Sequence, residues 1–447
     1  MRTLLYIAFR NLVQSRTRTA LLSAAIGLVT LMLVLLLSVS AGIEDNMVGA
    51  ATTLSGGHIN VAGFYKATAD DSSPLVTDAA KLRKILEEKT PGLDYIIDRQ
   101  RGWAKVISDS GSTQAGLVGI DPDQEERLMA TLQLAPESEY LEGGREEIIG
   151  SMEDLREPNT AAIFVGQAER LEVKVGDGLT IQTETQGGQT NTADVRVVAV
   201  ARDMGMISGW SLFMRKDDVI ELYRLNQDTT GAFWVYLDDI DDATATMGTL
   251  RTILADEGYA LMDHMPAPFF FKFDGVAGED WTGQKLDLTI WRDEVSFLTW
   301  VLTAFNTVTW FLVLVLVSII AVGIMNALWN SVRERTKEIG TMRAIGLTRR
   351  GVLVLILLEA LLLGLFATTA GAVGGAVIAL IVDFAAIPVP YEAMQTILLA
   401  ETLHLKVNPL QAISAIVLLT AFTGLSAIWP AWRAATMPPV TAIHQVE

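Results

Sequence analysis

The sequence predicts a membrane protein with four transmembrane helices and a large α/β extracytoplasmic domain inserted between helices 1 and 2. The first observation behind this fold class is a set of four mostly apolar runs, each about 20 residues or longer. A run of that length can cross a bilayer as a helix, and a helix satisfies its own backbone hydrogen bonds inside hydrocarbon. The predicted spans cover residues 20–41, 298–328, 352–382 and 409–430.

The second observation is the distribution of charge. The N-terminal segment 1–19 contains four arginines and no acidic residue, and segment 329–351 contains six basic residues against two acidic ones. Because cytoplasmic loops carry an excess of Lys and Arg, both segments are expected in the cytoplasm. The tail 431–447 then also lies in the cytoplasm, and residues 42–297 and 383–408 lie outside.

The external segment 42–297 is strongly acidic. It holds 22 Lys and Arg against 45 Asp and Glu, a net charge of about −23. Such a surface repels nucleic acid, so we expect no nucleic-acid partner. The chain contains no cysteine, which excludes a disulfide framework and a thiolate metal site.

Hydrophobic periodicity predicts alternating strands and helices within the external segment. Strands are predicted over 56–65, 96–108, 173–183, 193–202, 231–238 and 259–264, and helices over 78–90, 216–225 and 241–258. This order predicts an α/β domain joined to a β-rich subdomain. At the edges of the domain, residues 41–54 and 283–297 predict helical stalks, the second from the spacing of Trp291, Glu294 and Phe297.

Signatures of catalysis are missing from the sequence. No HExxH, G-x-S-x-G or GxxxxGK[ST] motif occurs. The four histidines are dispersed: His58, His264, His404 and His444. We therefore predict no catalytic residue and no metal site, and we do not expect this chain to bind a nucleotide by the usual route.

The third span contains an acidic residue and a row of glycines. Glu359 lies about two turns into the span, where an ionisable group is costly and marks a functional site by default. The interpretation that we favour is that it lies near enough to the cytoplasmic edge to reach water or to bond a neighbouring helix. Gly364, Gly371 and Gly375 form a small-residue face that predicts close packing of helices.

Three consecutive phenylalanines, Phe269, Phe270 and Phe271, follow two prolines in the external segment. They cannot all face one core from an ordinary strand, because successive strand side chains point to opposite faces. Either they contact an apolar ligand or cargo, or they form a buried plug at the base of the domain. Both interpretations stay open.

Segment 331–346, SVRERTKEIGTMRAIG, is a charged amphipathic stretch between two long apolar runs, a pattern typical of a surface helix that docks a partner. Residues 332–364 continue this motif as VRERTKEIGTMRAIGLTRRGVLVLILLEALLLG. Further motifs are AFRNLVQSRTRTALLSAAIGLV near the N-terminus, LSGGHINV after the first span and WPAWRAATMPPVTAI near the C-terminus. The motifs and the order of spans resemble the MacB/LolC/LolE/FtsX superfamily of ABC transporter permeases.

The resemblance implies a mechanism and a set of partners. In that superfamily the segment between the second and third spans is a coupling helix that sits in a groove of a separate ATPase subunit, and the permease dimerises. It implies an ABC ATPase that binds ATP and Mg, a second permease protomer, surrounding membrane lipid, and no cofactor in this chain. It also implies a bacterial inner membrane location with both termini in the cytoplasm. The residues implied to contact the ATPase are Arg333, Glu334, Arg335, Lys337, Glu338, Ile339, Met342 and Arg343, with Gly346 ending the helix.

Three departures narrow the branch of the superfamily. A MacB carries an N-terminal nucleotide-binding domain that this sequence lacks, an FtsX has a much smaller external domain, and Trp432 stands where the family often has a basic residue. We expect a LolC/LolE-type or stand-alone MacB-like permease that exports an amphiphilic cargo, such as a lipoprotein, lipid or peptide, by mechanotransmission. A periplasmic adaptor or carrier is a further candidate partner. The alternative is an FtsX-like regulator that transports nothing and activates a periplasmic cell-wall hydrolase, and the dimer is either a homodimer or a heterodimer.

Overall fold

A computed structural model of the protein describes residues 2–14, 16–68, 72–185, 187–204, 208–389 and 402–438. The helices are, in chain order, α1 (Arg2–Gln14), α2 (Arg16–Ala50), α3 (Ala79–Lys89), α4 (Glu126–Thr131), α5 (Val165–Leu171), α6 (Lys216–Tyr223), α7 (Ala243–Asp256), α8 (Phe273–Ala277), α9 (Trp291–Glu294), α10 (Ser296–Glu334), α11 (Thr336–Ala344), α12 (Arg349–Phe384) and α13 (Pro409–Thr436). The strands are β1 (Ile59–Lys66), β2 (Val76–Thr77), β3 (Leu93–Ile107), β4 (Ser112–Ile120), β5 (Thr160–Phe164), β6 (Gly178–Glu184), β7 (Thr190–Ala201), β8 (Ser211–Arg215), β9 (Thr229–Thr230), β10 (Ala232–Leu237) and β11 (Gly283–Ile290).

The chain divides into two compact units. The membrane unit comprises the described residues of 1–45, 302–388 and 402–447, and the sheet unit comprises those of 46–301 and 389–401. Of the predicted external loop 383–408, residues 390–401 lie outside the described part of the chain. Residues 439–447 of the predicted tail, which include His444, lie outside it as well.

Four helices of the described chain are long and apolar enough to cross a membrane. They are Thr19–Gly56, Thr303–Glu334, Arg349–Phe384 and Pro409–Thr436. The sheet unit lies in sequence between the first and the second, so the predicted fold class is confirmed. The helix expected over 41–54 is also confirmed, because a π-helical turn, Ala51–Gly56, continues α2.

The core of the membrane unit consists of small and branched apolar side chains from several helices. One buried cluster joins Ile26 of α2, Ile324 of α10, Ala360 of α12 and Ala427 of α13. The membrane helices therefore pack on one another through narrow faces, while their broader apolar faces are exposed, as expected of surfaces that lipid or a partner helix covers.

The sheet unit contains an open sheet and a closed barrel that share one strand. The strand order is β11-β1-β10-β3-β4-β8-β5-β7-β6, and β6 pairs back to β3 through Lys105, Val106 and Ile107. The strands β3, β4, β8, β5, β7 and β6 thus close on themselves. The open part, β11-β1-β10-β3, is antiparallel and has α7 packed beside β11. An α/β part joined to a β-rich part was the sequence expectation, and it is confirmed.

Side-chain alternation explains the barrel. Ala104 and Val106 of β3, with Leu179 and Ile181 of β6, point inward at period two and belong to one buried cluster. In the open sheet, every residue of the central strand β10, AFWVYL, is buried, because both faces of this strand are covered. This burial agrees with its continuous apolar sequence.

Two sequence expectations for the end of this unit are wrong. Residues 283–290 form the strand β11 and not a helical stalk, because Leu286, Leu288 and Ile290 alternate with polar residues and pair along the whole of β1. The alternation of apolar and polar residues therefore determines the structure up to Ile290, and the helical spacing applies only from Trp291 onward. Residues 259–264, expected as a strand, contribute only an isolated bridge between Leu261 and Leu286.

Candidate functional site

The segment between α10 and α12 has one face packed inside the membrane unit. Ile339 is only 7% exposed and lies in a buried cluster with Val332, Val352 and Ala431. Met342 packs against the same cluster. Gly346 adopts φ +110°, a conformation that favours glycine, and it ends α11 as expected.

Arg335 also faces the interior of the membrane unit. Its Nη1 lies 3.5 Å from Oε1 of Glu359, and its Nη2 lies 3.5 Å from the carbonyl oxygen of Asn11. The Asn11 side-chain amide donates a hydrogen bond of 2.5 Å to the same Glu359 oxygen. Glu359 therefore joins α1, α12 and the start of the segment between α10 and α12, which is the neighbouring-helix bond favoured from the sequence.

Arg343 contacts the segment that follows α13. Its guanidinium donates a hydrogen bond to the carbonyl oxygen of Met437, just after α13. Nearby, Trp329 and Trp429 stack with ring centroids 5.3 Å apart, and the guanidinium of Arg433 lies 5.0 Å from the Trp329 ring. The Arg343 contact joins the segment to the end of α13, and the stacked tryptophans join the end of α10 to α13.

The opposite face of the segment is exposed. Its outward residues include five of those predicted to contact the ATPase: Arg333, Glu334, Lys337, Glu338 and Gly346. Thr341 lies on this face too, and Ile345 is 82% exposed. Ile345 was not among the residues predicted to contact the ATPase, although its position directly before a helix-ending glycine is a signal that could have identified it. We call the exposed residues Lys337, Glu338, Thr341 and Ile345 the outer face.

The glycines of α12 lie where its neighbours approach most closely. A Cβ atom added at Gly371 would stand 2.2 Å from the carbonyl oxygen of Gly27 in α2. At Gly375 it would stand 2.9 Å from the carbonyl oxygen of Leu31, and at Gly364 it would stand 2.9 Å from Cβ of Thr423. The absence of a side chain at these positions allows α2 and α13 to contact α12 directly.

The sheet unit contains a second candidate site, a cleft of about 940 Å³. Phe270 and Phe271 line it and are 45% and 62% exposed, whereas Phe269 is buried and stacks on Phe64 with ring centroids 4.5 Å apart. The three residues form a 3₁₀ turn, which sends successive side chains about 120° apart. One phenylalanine therefore plugs the core, and two face the cleft. We call this feature the aromatic cleft.

Charged groups lie at the floor of the aromatic cleft. Arg101 is buried, and its Nη2 donates to the carbonyl oxygen of Ser55 and to Oδ1 of Asn60, each at 3.0 Å. Burial lowers the pKa of Arg101 to about 10, so it remains a cation at neutral pH. Burial raises the pKa of Glu294, whose carboxylate accepts hydrogen bonds from Thr289 and from the backbone N–H of Phe269.

Metal ligands do not cluster in the described residues. No group of three or more His, Asp or Glu side chains there is arranged to hold an ion. His58 accepts a hydrogen bond from the backbone N–H of Leu237, His264 lies 3.0 Å from Asp293, and His404 lies 2.7 Å from Asp383. Each of these three histidines thus has its own local partner.

One protein-family model matches part of the membrane unit. Residues 310–439 match the family model of the FtsX-like permease C-terminal domain. Over this stretch, which is less than a third of the chain, the sequence is similar to FtsX-like permeases. This match spans α11, α12 and α13 and confirms the resemblance seen in the sequence. FtsX-like permeases are membrane subunits of ABC transporters, and the four apolar helices are consistent with a bacterial membrane protein of this kind.

Three solved structures show weak likenesses to the chain. They are the extracellular domain of the noncanonic ABC-type transporter YknZ from Gram-positive bacteria (14% identity, 44% of this chain and 95% of that chain, TM-score 0.29), the periplasmic region of MacB from Actinobacillus actinomycetemcomitans (13%, 45% and 86%, 0.27) and a permease-protein domain from Porphyromonas gingivalis (14%, 52% and 87%, 0.28). Values this low support no conclusion about ligands or activity. No curated protein matches the chain significantly.

Proposed function

We propose that this chain is the permease subunit of an ABC transporter and couples ATP hydrolysis by a separate ATPase to extraction or export of an amphiphilic cargo. The outer face of the coupling segment is the observation that carries this proposal. It combines charges of both signs on Lys337 and Glu338 with an apolar side chain, Ile345, in the segment that the family match covers. An exposed apolar anchor surrounded by charges has the anatomy of a protein interface.

The inner face supports the same mechanism. Arg335, Ile339 and Arg343 bind the segment to α12 and α13, so a force applied to the outer face would reach the membrane helices. The ATPase contact is accordingly assigned to the outer face, together with Arg333, Glu334 and Gly346. Arg335, Ile339, Met342 and Arg343 are assigned to transmission.

The remaining partners follow from the type of machine. ATP and Mg would be bound by the ATPase, and a second permease protomer would complete the membrane part. The chain would lie in a bacterial inner membrane, with both termini and the coupling segment on the cytoplasmic side. The aromatic cleft favours a cargo-handling permease over a regulator that transports nothing, because a cleft of about 940 Å³ with exposed aromatic walls is suited to a ligand.

The test is Ile345→Asp. Burying an isoleucine contributes about 1.5–3 kcal/mol, so its loss should weaken binding of the ATPase roughly 10- to 100-fold. The full chain is purified from its native membranes, the ABC ATPase that accompanies it is identified by mass spectrometry, and ATP hydrolysis per mole of permease is measured. We expect the variant to lose most of the associated hydrolysis.

Ile148→Asp is the matched control. Ile148 is 57% exposed but lies in the sheet unit, so the same change there should leave the associated hydrolysis at the wild-type level. Equal hydrolysis by Ile345→Asp and wild type would contradict the proposed docking face.

A further inference from the structure

Three buried polar atoms without a hydrogen-bond partner among the described residues belong to side chains that line the aromatic cleft. They are Oε1 of Gln100, Nη1 of Arg101 and Nε1 of Trp234. All three side chains are almost completely buried. Buried polar atoms in folded proteins nearly always have a partner, so the two donors among them, Arg101 Nη1 and Trp234 Nε1, require an explanation.

Arg101 gives this floor a positive charge. Within the described chain, no carboxylate lies at ion-pair distance from its guanidinium, whereas the neighbouring Arg99 forms a salt bridge with Glu125 at 2.5 Å. The carboxyl group of Glu294 also lines the cleft, where it accepts hydrogen bonds from Asn60, Thr289 and the Phe269 backbone, and burial raises its pKa, which favours the neutral form. The floor therefore offers two N–H donors, on Arg101 and Trp234, beside a buried cation, and this combination suits an anionic acceptor group.

The walls of the cleft are apolar and partly exposed. Trp103 and Trp210 meet edge to face with ring centroids 6.3 Å apart, and Phe271 also lines the cleft. Exposed aromatic surface around a concave site marks a place where an apolar ligand is buried. The volume, about 940 Å³, lies within the range of small-molecule sites.

The backbone of the wall is closed to an extended peptide at Trp103. The Trp103 N–H donates to the Tyr223 hydroxyl oxygen at 2.7 Å, and that hydroxyl donates to the Trp103 carbonyl oxygen at 2.7 Å. A peptide strand binds by pairing with free main-chain groups, and Tyr223 occupies both of them at this residue. A flexible acyl chain needs no such pairing.

We propose that the aromatic cleft binds an acyl-chain amphiphile with an anionic head. The chain lies against Trp103, Trp210 and Phe271, and the head accepts hydrogen bonds from Arg101 Nη1 and Trp234 Nε1. Both N–H groups are covered, so the half-exposed Phe270 ring, whose centroid lies 5.7 Å from the guanidinium, must move aside to admit the head. The inference rests on the proposed function only in treating this ligand as cargo.

The test uses the full chain in lipid nanodiscs and palmitic acid that carries a photoreactive diazirine on its chain. After illumination, we expect adducts on peptides that contain Trp103, Trp210 or Phe271. Unlabelled palmitate and a lysophospholipid with a phosphate head are competitors with anionic heads, and methyl palmitate is a competitor with a neutral head. Methyl palmitate should compete at least about tenfold more weakly, since hydrogen bonds to a charged group strengthen binding by that order. Competition by palmitate alone would identify a carboxylate head, and competition by the lysophospholipid as well would show that a phosphate head is also accepted.

Trp210→Ala and Ile148→Ala form the matched pair of variants. Both residues are more than half exposed, but only Trp210 lines the cleft. Loss of the aromatic wall should lower adduct yield about tenfold, whereas Ile148→Ala should not change it. Arg101→Gln should abolish the preference for an anionic head. If that variant fails to fold, the Trp210 pair still decides the question.

The outcomes separate the two proposals. Adducts confined to the membrane helices, or equal yields in Trp210→Ala and wild type, would overturn the binding site and leave the ATPase coupling untouched. Adducts in the cleft that ATP does not release from the complete transporter would keep the site and overturn its role in cargo transfer.

Discussion

The packing of Ile339 predicts that Ile339→Ala loosens the coupling segment, whereas Ile345→Ala does not. Ile339 is 7% exposed and contacts the cluster that contains Val332, Val352 and Ala431. Truncating a buried isoleucine to alanine costs about 2–5 kcal/mol, and the residual exposure of Ile339 favours the lower end. A loss of about 2 kcal/mol raises the population of the locally open segment roughly 30-fold. Ile345 is 82% exposed, so its truncation should cost less than about 0.5 kcal/mol.

Limited digestion of the full chain with trypsin measures this difference. The bonds after Lys337 and Arg343 lie within the segment, and cleavage of a helix requires local opening. We expect cleavage at these bonds roughly 30-fold faster in Ile339→Ala than in wild type, and unchanged in Ile345→Ala. Equal cleavage rates in the two variants would refute the division of the segment into an inner and an outer face.

Three further predictions concern packing, pH and topology. Gly371→Ala should destabilise the membrane unit by about 1–3 kcal/mol, seen as a lower midpoint in thermal unfolding, whereas Gly374→Ala, with its nearest neighbour atom 3.5 Å away, should not. Burial, and then the charge of Arg127, lowers the pKa of His58 from 6.5 to about 4, so between these pH values the unfolded chain binds more protons than the folded one. The free energy of unfolding should therefore fall as pH falls from 6.5 towards 4, and His58→Gln should make this pH dependence smaller. A cysteine introduced at Ser112 in this cysteine-free chain should react with a membrane-impermeant maleimide on cells whose outer membrane has been permeabilised. A cysteine introduced at Thr341 should not react, and the reverse labelling pattern would overturn the proposed orientation.

The sequence predicted the spans and the short charged segment between the second and third because both depend on local patterns. Continuous apolar runs of about 20 residues need no tertiary information to be recognised as membrane helices. The two faces of the coupling segment were also accessible in principle, since Arg335, Ile339 and Met342 are spaced at i, i+4 and i+7 on one side of a helix. The resemblance to the superfamily implied that residues of both faces contact the ATPase. The inward packing of Ile339 distinguishes an inner face from an outer one.

Other features depend on residues that are distant in sequence. Gly371 lies against Gly27, and Arg101 lies beside Ser55 and Phe270, and no local period encodes either contact. The helix predicted over 283–290 is wrong because the helical spacing begins only at Trp291, and the residues before it alternate with period two. The aromatic cleft was only partly predicted, since the phenylalanines suggested a ligand but gave no sign of the floor at Arg101.

Site-specific photocrosslinking at position 345 tests whether the outer face contacts the ATPase. A photoreactive amino acid, p-benzoylphenylalanine, replaces Ile345 in the full chain, and in a parallel sample it replaces Ile148. We expect illumination of intact cells to crosslink position 345 to an ABC ATPase subunit, and we expect no such adduct from position 148. An ATPase adduct absent from position 345, or equally abundant at position 148, would contradict coupling through the outer face.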